Sequence, residues 1–534
     1  MRRFGASLVI AVAALLGAAG TAHAAAPPTE FGTDWDDPRT AGPVVDRPAT
    51  RSCTVPIVDH AFVNYDVYTN AYAPPPGCAG PWSKVVLRLE GAVQGRQFDR
   101  LGWLSVGDVT IFKTSTPEPS VDGIRWSVEK DISGYAPVLR GPTTVRMFLG
   151  NTVDDTYTGV LDIHVTLTFY LADRAHPAVD TATDVLPLTD PRTEGADLTG
   201  TVAVPRNTER LVAEVYATGS GGGCEEFWYL TAPPASGYSC PADQGPYREV
   251  QVLLDGRLAG IAVPFPYIYT GGWSNPFLWY VLPAPRAFDL PPLRYDLSPY
   301  LGQLTDGAPH TVAVHVLGVP AGQPGWDTPV NVLAWRDPHR AQVTGKLVDY
   351  AAGTVTNEST YALVDGWHQV TTHASHALRA VGVVQTSHGP VTTIVDQRLG
   401  NDSTHRWGDG ENPDNLSATW TDRSTSLVAG RSAFVGATVA ARRYAIDGGI
   451  SVTADNRLTT TITMTDAATL IGTGGVRTLE DTYQGDATWT LGVPRDQRHA
   501  IGTSTERYRL GGNTCYDHTI ATRNGFVTLD ARRC

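Results

Sequence analysis

The chain has 534 residues, 18% charged and 42% hydrophobic, enough for roughly three or four globular domains at about 150 residues each. Its 41 basic and 54 acidic side chains leave a net charge of −13. No basic cluster interrupts that excess, so nucleic acid is excluded as the expected partner. Frequent Gly (54) and Pro (38), with recurring Thr and Val, point to short strands joined by tight turns.

The first element is a secretory signal over residues 1–24. Arg2 and Arg3 supply its charged end, residues 4–19 are apolar and uncharged, and Ala22-His23-Ala24 places small residues at a cleavage point after Ala24. The apolar run is short for a membrane span of about 20 residues. A secreted, extracellular protein without membrane attachment after cleavage is expected. Residues 25–50, rich in Ala, Pro, Thr, Asp and Arg, read as a flexible leader.

Strand signal begins near Cys53. Leu161, Ile163, Val165, Leu167 and Phe169 alternate with Asp162, His164, Thr166, Thr168 and Tyr170, the period of a half-buried antiparallel strand. A first β unit is expected over residues 51–175 and a proline-rich linker over 176–198. A second β unit follows over 199–320, with a hairpin turn at Asp255-Gly256. A second linker spans 321–340. Residues 341–534 form a C-terminal β-rich domain with turns expected at Asp365-Gly366 and Asp447-Gly448. Helical periodicity is absent throughout. The expected class is all-β: tandem jelly-roll-like antiparallel sandwiches plus a C-terminal β domain.

The six cysteines fall into three sequence-local couples: Cys53 with Cys78, Cys224 with Cys240, and Cys515 with Cys534. Pairing neighbours is the simplest framework, and each bridge would contribute about 3 kcal/mol in the chain-entropy model. The chain has no Cys-x-x-Cys and no His-Glu-x-x-His, and His368, His373 and His376 are only loosely grouped. No metal and no cofactor are expected. Nucleophile-elbow and phosphate-cradling motifs are also missing.

Two carboxylate motifs stand out. In Gly95-Arg96-Gln97-Phe98-Asp99-Arg100, Asp99 sits between Phe98 and Arg100. On a strand it shares a face with Gln97, and a structural Asp in a strand-end turn is the competing reading. Downstream, Pro117-Glu118-Pro119 adds a carboxylate, while Glu129, Lys130 and Asp131 read as a solvated face. In the second unit, the Gly-dense loop around 218–224 delivers Glu225, Glu226, Phe227 and Trp228 beside a cysteine. Such a loop lets backbone approach a ligand closely. Phe265, Tyr267, Tyr269, Trp273, Phe277, Trp279 and Tyr280 form a run that suits either a core or a sugar-binding wall. Two carboxylates brought together between units would suffice for acid/base hydrolysis.

The residues resemble the peptide:N-glycanase A family. The resemblance is carried by Gly95-Arg96-Gln97-Phe98-Asp99-Arg100, Pro117-Glu118-Pro119, Leu149-Gly150-Asn151, Tyr157-Thr158-Gly159, Glu226-Phe227-Trp228-Tyr229, Tyr247-Arg248-Glu249-Val250, Pro264-Phe265-Pro266, Thr270-Gly271-Gly272 and Ala287-Phe288-Asp289-Leu290-Pro291, which follow the family's order. It implies hydrolysis of the amide joining N-acetylglucosamine to Asn in N-glycoproteins and N-glycopeptides, leaving Asp and a glycosylamine. A more distant similarity to peptide:N-glycosidase F implies a site between two jelly rolls. The resemblance assigns catalysis to Asp99 and Glu226, with Glu118 the candidate third carboxylate. The third position has no clean counterpart, since the local match falls near Gly150-Asn151. Asp99 would activate water, and Glu226 would assist proton transfer to the leaving nitrogen. Arg96, Arg100, Glu225, Trp228, Trp273 and Asn151 are the candidate substrate-binding residues. Glu225 and Glu226 are not separable by sequence. A monomer is expected. The competing classes are a carboxylate-pair glycoside hydrolase, with its acids about 5 to 9 Å apart, and a glycan-binding sandwich without catalysis.

Overall fold

The computed structural model describes residues 38–119, 123–220, 223–273, 281–323, 325–430, 436–493, 497–512 and 515–534. The signal segment, Phe277, Trp279 and Tyr280 lie outside the described residues.

The first unit is built from β1 (Ser52–Phe62), β2 (Tyr68–Tyr72), β3 (Trp82–Val93), β4 (Leu101–Val106), β5 (Val109–Ser115), β6 (Ile124–Asp131), β7 (Thr143–Leu149) and β8 (Leu161–Leu171). They form two sheets, ordered β1-β8-β3-β6 and β2-β7-β4-β5. That interleaving of eight strands is the jelly-roll order. The alternation read over β8 is observed: Leu161, Ile163, Val165, Leu167 and Phe169 are buried in the core, and Asp162, His164, Thr166 and Thr168 between them are more exposed, while Tyr170 is buried as well.

The second unit comprises β9 (Asp184–Pro187), β10 (Thr189–Glu194), β11 (Asp197–Val202), β12 (Thr208–Val215), β13 (Thr218–Gly219), β14 (Glu249–Leu254), β15 (Arg257–Ala262), β16 (Leu293–Asp296), β17 (His310–Leu317), β18 (Trp326–Asp327) and β19 (Val330–Arg336). Its main sheets run β10-β11-β17-β14-β15 and β16-β12-β19-β9, with β13 paired to β18. The Asp255-Gly256 hairpin is observed, both residues having positive φ (49° and 81°) as a primed turn requires.

Both expected linkers need correction. Residues 176–198 contain β9 and β10. Each is an edge strand, where Pro187 and Pro191 lose no ladder bond that the sheet needs. Residues 321–340 contain β19, an interior strand whose Val332, Leu333 and Ala334 are buried. Its short apolar run is masked in the sequence by Pro329 and Pro338.

The C-terminal unit is not a sandwich. Among the described residues it is one eleven-stranded antiparallel sheet from Thr344 to Arg532. Its hairpins are long, such as Trp367–Thr386 against Gly389–Trp407. Asp365-Gly366 turns as expected. Asp447-Gly448 does not turn; it lies inside the strand Gly436–Val452. A Cβ on Gly448 would stand 2.8 Å from Trp273 Cζ2, so the glycine makes room for an indole from the second unit.

This sheet packs on the second unit at several points. Gln397 exchanges two hydrogen bonds with the Ile261 backbone (3.2 and 3.1 Å). Trp420 meets Trp228 edge-on at 5.3 Å. His376 Nδ1 lies 2.7 Å from Glu249 Oε1. His373 pairs with Asp402 and His368 with Tyr361, so the three histidines have three separate partners. Part of the expected flexible leader is held on the same sheet. Ala41 N donates to Glu506 Oε2 at 2.7 Å and Tyr516 Oη donates to Ala41 O at 2.9 Å, leaving Ala41 fully buried. The bridges Cys53–Cys78, Cys224–Cys240 and Cys515–Cys534 are formed.

Candidate active site

The seam between the first two units runs along β5, buried at every residue. Asn331 pairs its amide with the Thr110 backbone (3.1 and 2.6 Å). Lys113 Nζ donates to Asp327 O at 2.9 Å, and Thr114 Oγ1 donates to Phe288 O at 2.7 Å. Lys130 reaches Asp289 across the seam at 2.6 Å. The Glu129-Lys130-Asp131 run is therefore not simply a solvated face. A buried polar seam of this kind fixes one relative placement of the units, because each group left unpaired would cost about 1 to 3 kcal/mol.

The β4–β5 register brings the first two carboxylates together. Leu101 pairs with Ser115. Past the hairpin's open end, Arg100 N donates to Thr116 Oγ1 and Thr116 N to Arg100 O, both at 2.9 Å. The same register continued sets Asp99 opposite Pro117, beside Glu118. The turn at residues 270–273 closes over them. Thr270 Oγ1 accepts from Glu118 N and donates to Thr116 O, each at 2.9 Å. Gly271 has φ of 90°, and a methyl group placed on it would collide with Glu118 Oε2 and sit 3.3 Å from Asp99 Oδ1. Gly272 faces the Phe227 ring. Gly271→Ala is expected to lower kcat about 10²-fold through displacement of the carboxylates, with the strain of a side chain at positive φ added. Steady-state kinetics of this variant check it.

The second unit delivers Glu226. Its loop is tied by Cys224–Cys240, and Ser220 N donates to Gly325 O at 2.6 Å, so the described part of the Gly-dense segment is docked. Glu225 turns inward. Arg248 holds it through Nε (2.9 Å) and Nη2 (2.6 Å), and Trp326 Nε1 adds a bond of 2.7 Å. The charge of Glu226 reaches Asp99.

Electrostatics follow from this crowding. Burial, then the charges of Glu226 and Glu118, hold the Asp99 carboxyl well above the usual carboxylate range, and Arg100 pulls the other way. Burial pushes Glu118 up to about 7, opposed by Arg498 and then Arg96. Asp99, Glu118 and Glu226 are all half-buried, which leaves them open to a ligand. Among the described residues no set of three His, Cys, Asp or Glu is arranged to hold a metal.

The remaining candidates divide. Arg96 lies beside the Tyr157 ring (5.5 Å), which packs on Phe98. Arg100 donates to Gln97 Oε1 at 2.5 Å, while its buried Nε meets no protein acceptor among the described residues. Four others are enclosed. Asn151 is 0% exposed and bonds Phe62 O and Gly159 O. Glu225 is 1% exposed. Trp228 is 2% exposed, packed on Tyr229 and Trp420, and Trp273 is 4% exposed, donating to Thr461 O at 2.9 Å. Packing and internal bonds consume the faces these residues would offer a sugar. Phe265, Tyr267 and Tyr269 are likewise core. Sequence reasoning missed Arg498, because nothing local links it to Glu118, 380 residues away.

Residues 42–353 match the family model described as peptide N-acetyl-beta-D-glucosaminyl asparaginase amidase A. A peptide-N4-(N-acetyl-beta-glucosaminyl)asparagine amidase A of Prunus dulcis is 32% identical over 387 residues, which cover 65% of this chain and 66% of that enzyme. A solved peptide-N(4)-(N-acetyl-beta-D-glucosaminyl)asparagine amidase aligns with 13% identity and a TM-score of 0.36, covering 53% of this chain and 96% of that one. The solved PNGF-II aligns with 14% identity and a TM-score of 0.40, covering 54% and 66%. With more than half of its length inside that model, the chain belongs to the peptide N-acetyl-beta-D-glucosaminyl asparaginase amidase A family.

Proposed function

We propose that the chain is a secreted amidase that removes N-glycans by hydrolysing the amide between N-acetylglucosamine and Asn of glycopeptides and glycoproteins. The observation that carries this reading is the meeting of Asp99 and Glu118 at one glycine turn on the seam between two β units, with the charge of Glu226 bearing on Asp99. The family membership agrees with it.

Asp99 has its pKa raised by burial and by the charges of both glutamates. A carboxylate of raised pKa takes a proton more effectively than an ordinary one. It removes a proton from water as the water oxygen bonds to the Asn side-chain carbonyl carbon. Arg100, whose charge bears on Asp99, stabilises the oxyanion, with Arg96 as the alternative donor. Glu226 delivers a proton to the nitrogen as the carbon–nitrogen bond breaks. Water thereby adds OH to carbon and H to nitrogen, giving Asp and a glycosylamine. Glu118 holds the water or tunes Asp99. Glu225, Trp228, Trp273 and Asn151 support the site from behind. The N-terminal signal and three disulfides support export.

The test is mass spectrometry of an N-glycopeptide incubated with the protein in ¹⁸O-water. Whole-glycan loss with one ¹⁸O in a new Asp is the expected result. A peptide retaining N-acetylglucosamine would establish a glycosidase instead, and an intact glycopeptide that still binds would establish a lectin.

A further inference from the structure

The family match ends at residue 353, yet two features of the sheet beyond it bear on the carboxylate cluster. The first is mechanical. The turn at residues 270–273 packs Gly271 against Asp99 and Glu118. Its last residue is anchored to the strand Arg457–Gly472. Trp273 Nε1 donates to Thr461 O at 2.9 Å, Thr460 Oγ1 donates to Trp273 O at 3.3 Å, and Gly448 on the neighbouring strand leaves space for the indole. A single hydrogen-bonded turn thus links the C-terminal sheet to the two carboxylates. The second feature is electrical. Arg498 precedes the strand Ile501–Gly511. Its guanidinium lies over the Trp489 ring at 4.9 Å, and Arg457 Nη1 donates to its carbonyl oxygen at 3.1 Å. From there its positive charge bears on Glu118 more strongly than that of Arg96.

We propose that the C-terminal sheet completes the active site, holding the 270–273 turn against Asp99 and Glu118 and bringing the Arg498 guanidinium to face Glu118. Trp273 and Arg498 are positioning residues in this arrangement. The inference rests on the amidase reading, since it assigns a role in that reaction to a unit outside the family match. The charged groups that face Glu118 are Arg96 and Asp99 from the β3–β4 connection and Arg498 from the C-terminal sheet, with Glu226 beyond Asp99. The 270–273 turn brings no charge. Arg96 alone would leave Glu118 without the stronger of the two cationic charges that bear on it. Removing Arg498 therefore raises the Glu118 pKa, and Glu118 stays protonated to higher pH.

The experiment uses the full-length protein and three variants, Arg498→Gln, Arg498→Lys and Trp273→Phe, each in the native and the Glu118→Gln background. Infrared titration of the carboxyl band that disappears in Glu118→Gln reads the Glu118 midpoint directly. In Arg498→Gln that midpoint is expected to rise by on the order of one pH unit. With Glu118 neutral to higher pH, Asp99 loses one of the charges that raise it, so the acid limb of kcat should move to lower pH, and neither change should appear in the Glu118→Gln background. Arg498→Lys should restore most of both. In Trp273→Phe the ring remains but the bond to Thr461 is lost, and kcat should fall about tenfold with KM nearly unchanged. An unmoved Glu118 midpoint in Arg498→Gln, or a limb shift that persists without Glu118, would overturn the role of Arg498. A raised KM at constant kcat in Trp273→Phe would make that residue a substrate contact and overturn its positioning role. If the wild-type protein releases no Asp product, the amidase reading fails by itself, and the infrared midpoints still decide whether Arg498 acts on Glu118.

Discussion

Asp99→Asn is expected to reduce the rate of N-glycopeptide hydrolysis about 10²- to 10⁴-fold while leaving the protein folded. The amide keeps the shape of the carboxyl but cannot accept water's proton, and general-base catalysis is worth that much. Loss of rate by unfolding is separable, because the stability effect has the opposite sign. Asp99 has its pKa raised in the folded state by burial and by the charges of Glu226 and Glu118. Its favourable contribution is complete below the ordinary carboxylate pKa and is lost as pH rises through the folded value. The uncharged Asn carries no such loss. Thermal unfolding at neutral pH should therefore show the variant at least as stable as the wild type, with its advantage shrinking as pH falls toward 4. An inactive variant of undiminished melting temperature fits a base. A variant with near-normal turnover would remove Asp99 from the chemistry and leave Glu118 or Glu226 to activate water.

How much of this arrangement was legible depended on the range of the interactions. Period-two alternation is local, so the strand Leu161–Leu171 and the all-β class could be read directly. Turn chemistry is local as well, and Asp255-Gly256 and Asp365-Gly366 both turn. Asp447-Gly448 has the same local signature but sits in mid-strand, because Gly448 answers to Trp273, about 175 residues earlier in the chain. Edge strands such as Thr189–Glu194 escaped notice because proline is tolerated there. The carboxylates themselves stood out by their neighbours. Their grouping needed the Leu101–Ser115 register and the seam between units, and no sequence spacing encodes either. Aromatic residues misled for a related reason. Trp228 and Trp273 are as suited to a core as to a sugar wall, and contacts from the C-terminal sheet decide for the core.

The sharpest case is the adjacent pair Glu225 and Glu226, which composition and motif leave equivalent. Their substitutions are expected to separate into two phenotypes. Glu225 is held by two nitrogens of a fully buried Arg248 and by Trp326. Glu225→Ala strands that guanidinium in the interior, and breaking such a buried pair costs about 3 to 5 kcal/mol. It should appear as a large drop in melting temperature, with loss of activity only as the fold is lost. Arg248→Met with Glu225→Leu, which removes both charges together, should recover a good part of the stability, because neither ion is then left alone. Glu226→Gln should do the reverse. It bears on Asp99 and is half-buried, so kcat is expected to fall about 10²-fold with melting little changed. Replacing Glu226 also removes the first-named charge raising Asp99. The residual activity of Glu226→Gln should then retain its acid limb at a lower pH than the wild type. A shift of that limb in Glu225→Ala instead would exchange the two assignments. Neighbouring carboxylates in one loop would thus divide the work between fold and chemistry, because a single arginine 23 residues further on turns one of them inward.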